Sequence, residues 1–74
     1  MSKLAELDDL YKITISKLPE ADRLSYCNQK LDKVQYILAK NLDILNAPQK
    51  TQLGKMIKAI QDEIERIKNE TSFI

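Results

Sequence analysis

Residues 53–67, LGKMIKAIQDEIERI, place Leu53, Ile57, Ile60, Ile64 and Ile67 at intervals of four, three, four and three. That spacing keeps returning to one face of an α-helix and is the seam pattern of helices packed side by side. Upstream, Leu24, Leu31, Leu38 and Leu45 recur every seven residues, with Cys27 and Val34 filling positions between them. Two seams joined by a short proline-containing connection predict an antiparallel, coiled-coil-like helical hairpin. Together with a short N-terminal helix, this makes residues 1–74 a single all-α domain.

The connection is Asn46-Ala47-Pro48. Asparagine tolerates the left-handed conformation that closes a helix, and proline suits the opening turn of the next one. On the upstream side, the expected helix runs from Pro19 to Leu45, about 40 Å at the α-helical rise. Glu20 and Asp22 place negative charge at its start, where the helix dipole favours it. Its apolar surface is broader than one neighbour requires. Leu24, Cys27, Leu31, Val34, Leu38, Leu42 and Leu45 form a central stripe, and Tyr26, Ile37 and Ile44 form a second row beside it. A stripe of about 100° serves one packed neighbour, so the extra row requires a second one. That is either the N-terminal helix or a partner protein.

The downstream helix is expected over Pro48 to Asn69, with Asp62 and Arg66 paired four residues apart on its polar face. Gly54, the single glycine, projects away from its apolar stripe. Ile74 continues the seven-residue spacing of Ile60 and Ile67, so the tail is expected to dock. Residues 4–17 place Leu4, Leu7, Leu10, Tyr11, Thr14 and Leu18 on one side at helical spacing. Asp8 and Asp9 come early and Lys12 and Lys17 late, again in the order the dipole favours. The β-branched run Ile13-Thr14-Ile15 weakens helix propensity there.

Composition narrows the function. The chain has 74 residues, one cysteine and no histidine. That leaves no disulfide framework and no customary zinc-ligand set. A core this small barely offsets the entropy of ordering the chain, so a partner is expected to supply part of the stability. Charged residues make up 31% of the chain, yet the formal net charge is +1, which argues against binding by phosphate neutralisation. The first nine residues carry charge where a signal peptide needs an apolar core, and no run approaches a membrane span. The expected setting is the cytoplasm, away from membranes, with Cys27 reduced.

No constellation for catalysis, cofactor or metal binding is visible, and the expectation is a non-enzymatic protein. Cys27 lacks a histidine to activate it and falls on the central stripe, where a small buried side chain belongs. The acidic pairs Asp8-Asp9 and Asp62-Glu63 read as solvated helix faces. Lys50, Lys55 and Lys58 cluster in the first half of the third helix and offer a candidate anionic contact. Tyr36 stands opposite the central stripe among Gln29, Lys33, Lys40 and Asp43, and tyrosine is a frequent interface anchor. The candidate partner-binding residues are therefore Tyr26, Ile37, Ile44 and Tyr36.

Residues 31–67, LDKVQYILAKNLDILNAPQKTQLGKMIKAIQDEIERI, resemble the helical hairpin of small co-chaperones for type III secretion needle subunits. The likeness rests on chain length, helix order and turn placement and assigns no individual residue a role. It implies a heteromeric complex with a tetratricopeptide-type chaperone that keeps an aggregation-prone needle protein in the cytoplasm. The alternative is self-association into a four-helix bundle, similar to plasmid-copy-number RNA binders of the Rop type. In that case Lys50, Lys55 and Lys58, duplicated across a two-fold axis, would meet RNA or DNA.

Overall fold

The computed structural model describes residues 2–71 and is all-α among them. Two short helices, α1 (Lys3–Leu7) and α2 (Asp9–Ile13), lead through a 3-10 turn at Ile15–Lys17 into two long ones. These are α3 (Glu20–Lys40) and α4 (Ala47–Thr71), which pack against each other along their length. The radius of gyration is 13.2 Å, above the about 11 Å expected of a compact chain this long. The molecule is a rod of 45 × 21 × 15 Å.

The N-terminal segment departs from the single helix expected over residues 4–17. Ser2 caps α1 by accepting from the Ala5 N–H at 3.1 Å. At Asp8 the backbone becomes extended, with φ −129° and ψ 104°, and the helix stops. The Asp8 carboxylate then accepts from the Tyr11 N–H at 3.2 Å and opens α2. Aspartate competes well for backbone donors, which makes it a strong N-cap and a poor mid-helix residue. The break rotates the two halves relative to each other, so the expected continuous apolar side does not form. Leu4 and Tyr11 are buried, while Leu7, Leu10 and Leu18 are exposed. The β-branched run ends α2 as its propensity implies, and Ser16 Oγ donates back to the Lys12 carbonyl at 2.9 Å.

Pro19 stands just before α3 rather than inside it, with its carbonyl accepting from the Asp22 and Arg23 N–H groups. The far end of α3 comes earlier than Leu45. The Asn41 side chain donates to the Ile37 carbonyl at 2.9 Å, and the backbone turns through residues 41–44. Asn46 also differs from expectation: it opens α4 instead of closing α3. Its Oδ1 accepts from the Gln49 N–H at 2.9 Å, while Gln49 Oε1 accepts from the Asn46 N–H at 3.0 Å. This reciprocal capping box satisfies two otherwise unpaired backbone donors. No described residue adopts a positive φ. The expected docking of Ile74 lies outside the described residues.

The core gathers at one end of the rod. Leu4, Ala5, Tyr11, Cys27, Val34, Ala59, Ile60 and Ile67 are buried, with Leu24, Leu31, Ile57 and Ile64 half-buried around them. Leu42, placed on the central stripe by periodicity, is exposed because the helix has ended. From Gln35 to Lys58 no residue is buried at all. The helical pair is therefore three segments thick where α1 and α2 lie and only two thick at the end where residues 41–46 connect it.

Ile60 is 0% exposed. Ile60→Asp places an unpaired charge in that core, a loss expected to exceed about 4 kcal/mol. Domains of this size hold only about 4–11 kcal/mol, so the expected outcome is loss of the helical circular dichroism signal at 25 °C. At Gly54 an added Cβ meets nothing within 4 Å. Gly54→Ala should therefore stabilise the helix by about 1 kcal/mol and raise the melting temperature by about 4–8 °C.

Candidate partner-binding surface

The row Tyr26, Ile37 and Ile44 divides in the folded chain. Tyr26 is half-buried beneath the N-terminal segment, and its hydroxyl donates to Asp8 Oδ2 at 2.6 Å. Its ring lies 5.9 Å from that of Tyr11, centroid to centroid, tilted by 37°. Ile44 leaves the row for a different reason: α3 stops at Lys40, so residue 44 belongs to the connection and not to a helix face. Ile37 remains on α3 at 39% exposure, followed by Leu42 at 50% and Ile44 at 78%. Tyr36 is 63% exposed, with Lys40 Nζ 6.0 Å from its ring centroid, near the outer limit of a cation–π contact. Within nine residues of chain, four large apolar or aromatic side chains thus face water at the thin end of the rod.

The lysine cluster also divides. Lys55 and Lys58 help wall a concavity against α1, while Lys50 is exposed elsewhere on α4 and takes no part in it.

The acidic pairs are not simply solvated. Asp8 and Glu63 are buried, while Asp9 and Asp62 are exposed. Glu63 lies on the α4 seam between Ile60 and Ile67, and the Tyr11 hydroxyl donates to its Oε2. Arg66 Nη2 approaches the same oxygen at 3.2 Å, so Arg66 pairs with Glu63 rather than with Asp62. Glu63 Oε1 is buried with no hydrogen-bond partner among the described residues. Asp8 gathers the Tyr11 N–H, the Tyr26 hydroxyl and, at 3.7 Å, Lys30 Nζ. Burial raises the Asp8 pKa, but the Tyr26 hydroxyl, the Tyr11 and Leu10 backbone donors and the Lys30 charge outweigh it and hold the carboxyl below its ordinary value. Burial and the neighbouring carboxylates push both phenols upward, so Tyr11 and Tyr26 remain protonated donors at neutral pH. The Cys27 thiol is pushed up to about 11 by burial first and the Glu63 charge second. An un-ionised thiol that is 0% exposed is a core side chain and a poor nucleophile.

Sequence reasoning missed this polar cluster, although one signal was available. Met56, Ile60, Glu63 and Ile67 also follow a four-three-four spacing, so an acid occupied a seam position. Among the described residues, no group of three or more acidic or cysteine side chains is placed to hold a metal ion. No described helix is long and apolar enough to cross a membrane. Compared with known proteins, the chain matches no family model, no curated protein and no solved structure.

A carboxylate with a depressed folded-state pKa contributes stability above its unfolded value, and that contribution is lost as pH falls through the folded one. Asp8→Asn keeps a capping side chain but removes the charge. Above pH about 4, the ordinary aspartate value, the wild type should exceed this variant by about 1 kcal/mol in urea unfolding. The two should converge as the pH is lowered further.

Proposed function

We propose that the chain is a non-enzymatic protein–protein interaction module, an adaptor or co-chaperone that takes a partner's apolar surface at the thin end of its helical pair. One observation carries the proposal. Tyr36, Ile37, Leu42 and Ile44 are exposed within nine residues of chain, at the end of the helical pair that α1 and α2 leave uncovered. Large apolar side chains concentrated in this way on a surface favour an interaction site over chance exposure. A partner helix laid there would complete the third layer that α1 and α2 supply at the other end, with anchors at helical spacing.

The two long helices are read as antiparallel arms of a coiled-coil-like hairpin. Support comes from the ion pair of Arg23, near the start of α3, with Glu70, near the end of α4, at 3.3 Å. The other ends are joined by residues 41–46 alone. The resemblance of residues 31–67 to needle-subunit co-chaperones supplies a specific version of the proposal, in which the occupant is a tetratricopeptide-type chaperone in the cytoplasm. Self-association into a four-helix bundle is the second reading, favoured by the same uncovered side chains on a hairpin of suitable length.

The test is the double substitution Ile37→Ser with Ile44→Ser. Both residues are exposed, so helicity should be retained and the unfolding free energy should stay within about 0.5 kcal/mol of wild type. Association should fall, whether read as molar mass by light scattering across concentrations or as cross-linking to a partner in the native host. Loss of helicity would place these side chains in the core and remove the basis for the proposal. A concentration-dependent dimer of the wild type, abolished in the variant, would select the four-helix bundle over a different partner.

A further inference from the structure

We infer that the chain carries a small-anion site, distinct from its apolar end, in the concavity between α1 and the middle of α4. The concavity measures about 310 Å3 and is walled by Lys3, Glu6 and Leu7 from α1 and Lys55, Lys58 and Ala59 from α4. The walls thus include three lysines and one glutamate, a formal balance of +2 (3 − 1) within a chain whose total is +1. Among the described residues none of these lysines forms an ion pair within 4.0 Å, and Glu6 on the same wall neutralises none of them at that range. The arrangement is tertiary: Lys3 lies more than fifty positions from Lys55 and Lys58, yet all three line one concavity.

Like charges gathered in a concave wall repel one another, and the apolar surroundings strengthen the field that an incoming anion meets. The ligand class follows from the walls. Lysine binds as a point charge without the planar fork that guanidinium offers to carboxylates, and several ammoniums suit a tetrahedral oxyanion. Leu7, 37% exposed, adds an apolar surface for the body of the ligand. The volume lies at the lower end of small-molecule sites, about 300–1,000 Å3. A phosphate monoester with a compact apolar body meets all of these conditions. A nucleic-acid strand does not, because a track along α4 would recruit Lys50, which stands outside the walls.

The test is a titration of the isotope-labelled chain, followed by amide chemical shifts. Phenyl phosphate is the probe, phenol its neutral counterpart, and the other chains are Lys50→Gln and the double variant Lys55→Gln with Lys58→Gln. Phenyl phosphate should give saturable shifts confined to residues 3–7 and 55–59, and phenol should give none. The double variant should bind at least about tenfold more weakly, equivalent to about 1.4 kcal/mol. Lys50→Gln should match wild type. All three lysines are exposed, and unchanged helicity confirms that each variant is folded. Non-saturating shifts scattered over every lysine would overturn the inference. So would equal weakening by Lys50→Gln, or phenol binding as tightly as its phosphate.

Discussion

Glu63 is an acid on the buried stripe of α4, and the Tyr11 phenol that donates to its Oε2 arrives from 52 residues earlier in the chain. A carboxylate there would otherwise oppose packing, because a buried charge without partners costs more than a buried apolar group gains. The N-terminal segment, with Arg66, eases that conflict at one of the two carboxylate oxygens and is itself held by the contact. Helices α1 and α2 have five residues each, far below the length at which an isolated helix persists in water. Their order comes from seating Leu4 and Tyr11 in the core, and from Asp8, which caps α2 while binding Tyr26 and Lys30. A polar network of this kind favours one register of segment against helical pair over its neighbours, since each shift would strand a buried acid.

The same seating divides the rod. Where the segment lies, three layers exclude water from Cys27, Ile60 and Ile67. Beyond Val34 on one long helix and before Lys55 on the other, only two layers remain, and leucines and isoleucines stay partly wet. Burial and exposed apolar surface are thus separated along one axis. The thick end holds the fold together. The thin end keeps apolar surface that a third layer from elsewhere could cover, and the capping box at Asn46 and Gln49 starts α4 firmly behind it.

Much of this was legible in the chain. The seam of residues 53–67, the breaks near Pro19 and Asn46, the burial of Cys27 and the freedom of Gly54 all follow from local rules of spacing and conformation. Other features were not. Asp8 and Asp9 look alike as neighbouring acids, yet one is buried as a cap and the other is solvated. Leu42 and Ile44 continue an apolar pattern past the point where Asn41 folds back onto Ile37, so periodicity overran the helix. Tyr26 shared a row with Ile37 until the N-terminal segment covered one and left the other.

The sequence by itself determined an all-α chain with two long helices, their apolar faces and the approximate place of the turn, because periodicity and capping are properties of neighbouring residues. Tertiary structure alone decided which acids are buried, which end of the helical pair is thick, and that Lys3 lines one concavity with Lys55 and Lys58. Burial and charge convergence depend on which distant segment comes to rest against a face, and no local pattern records that arrival.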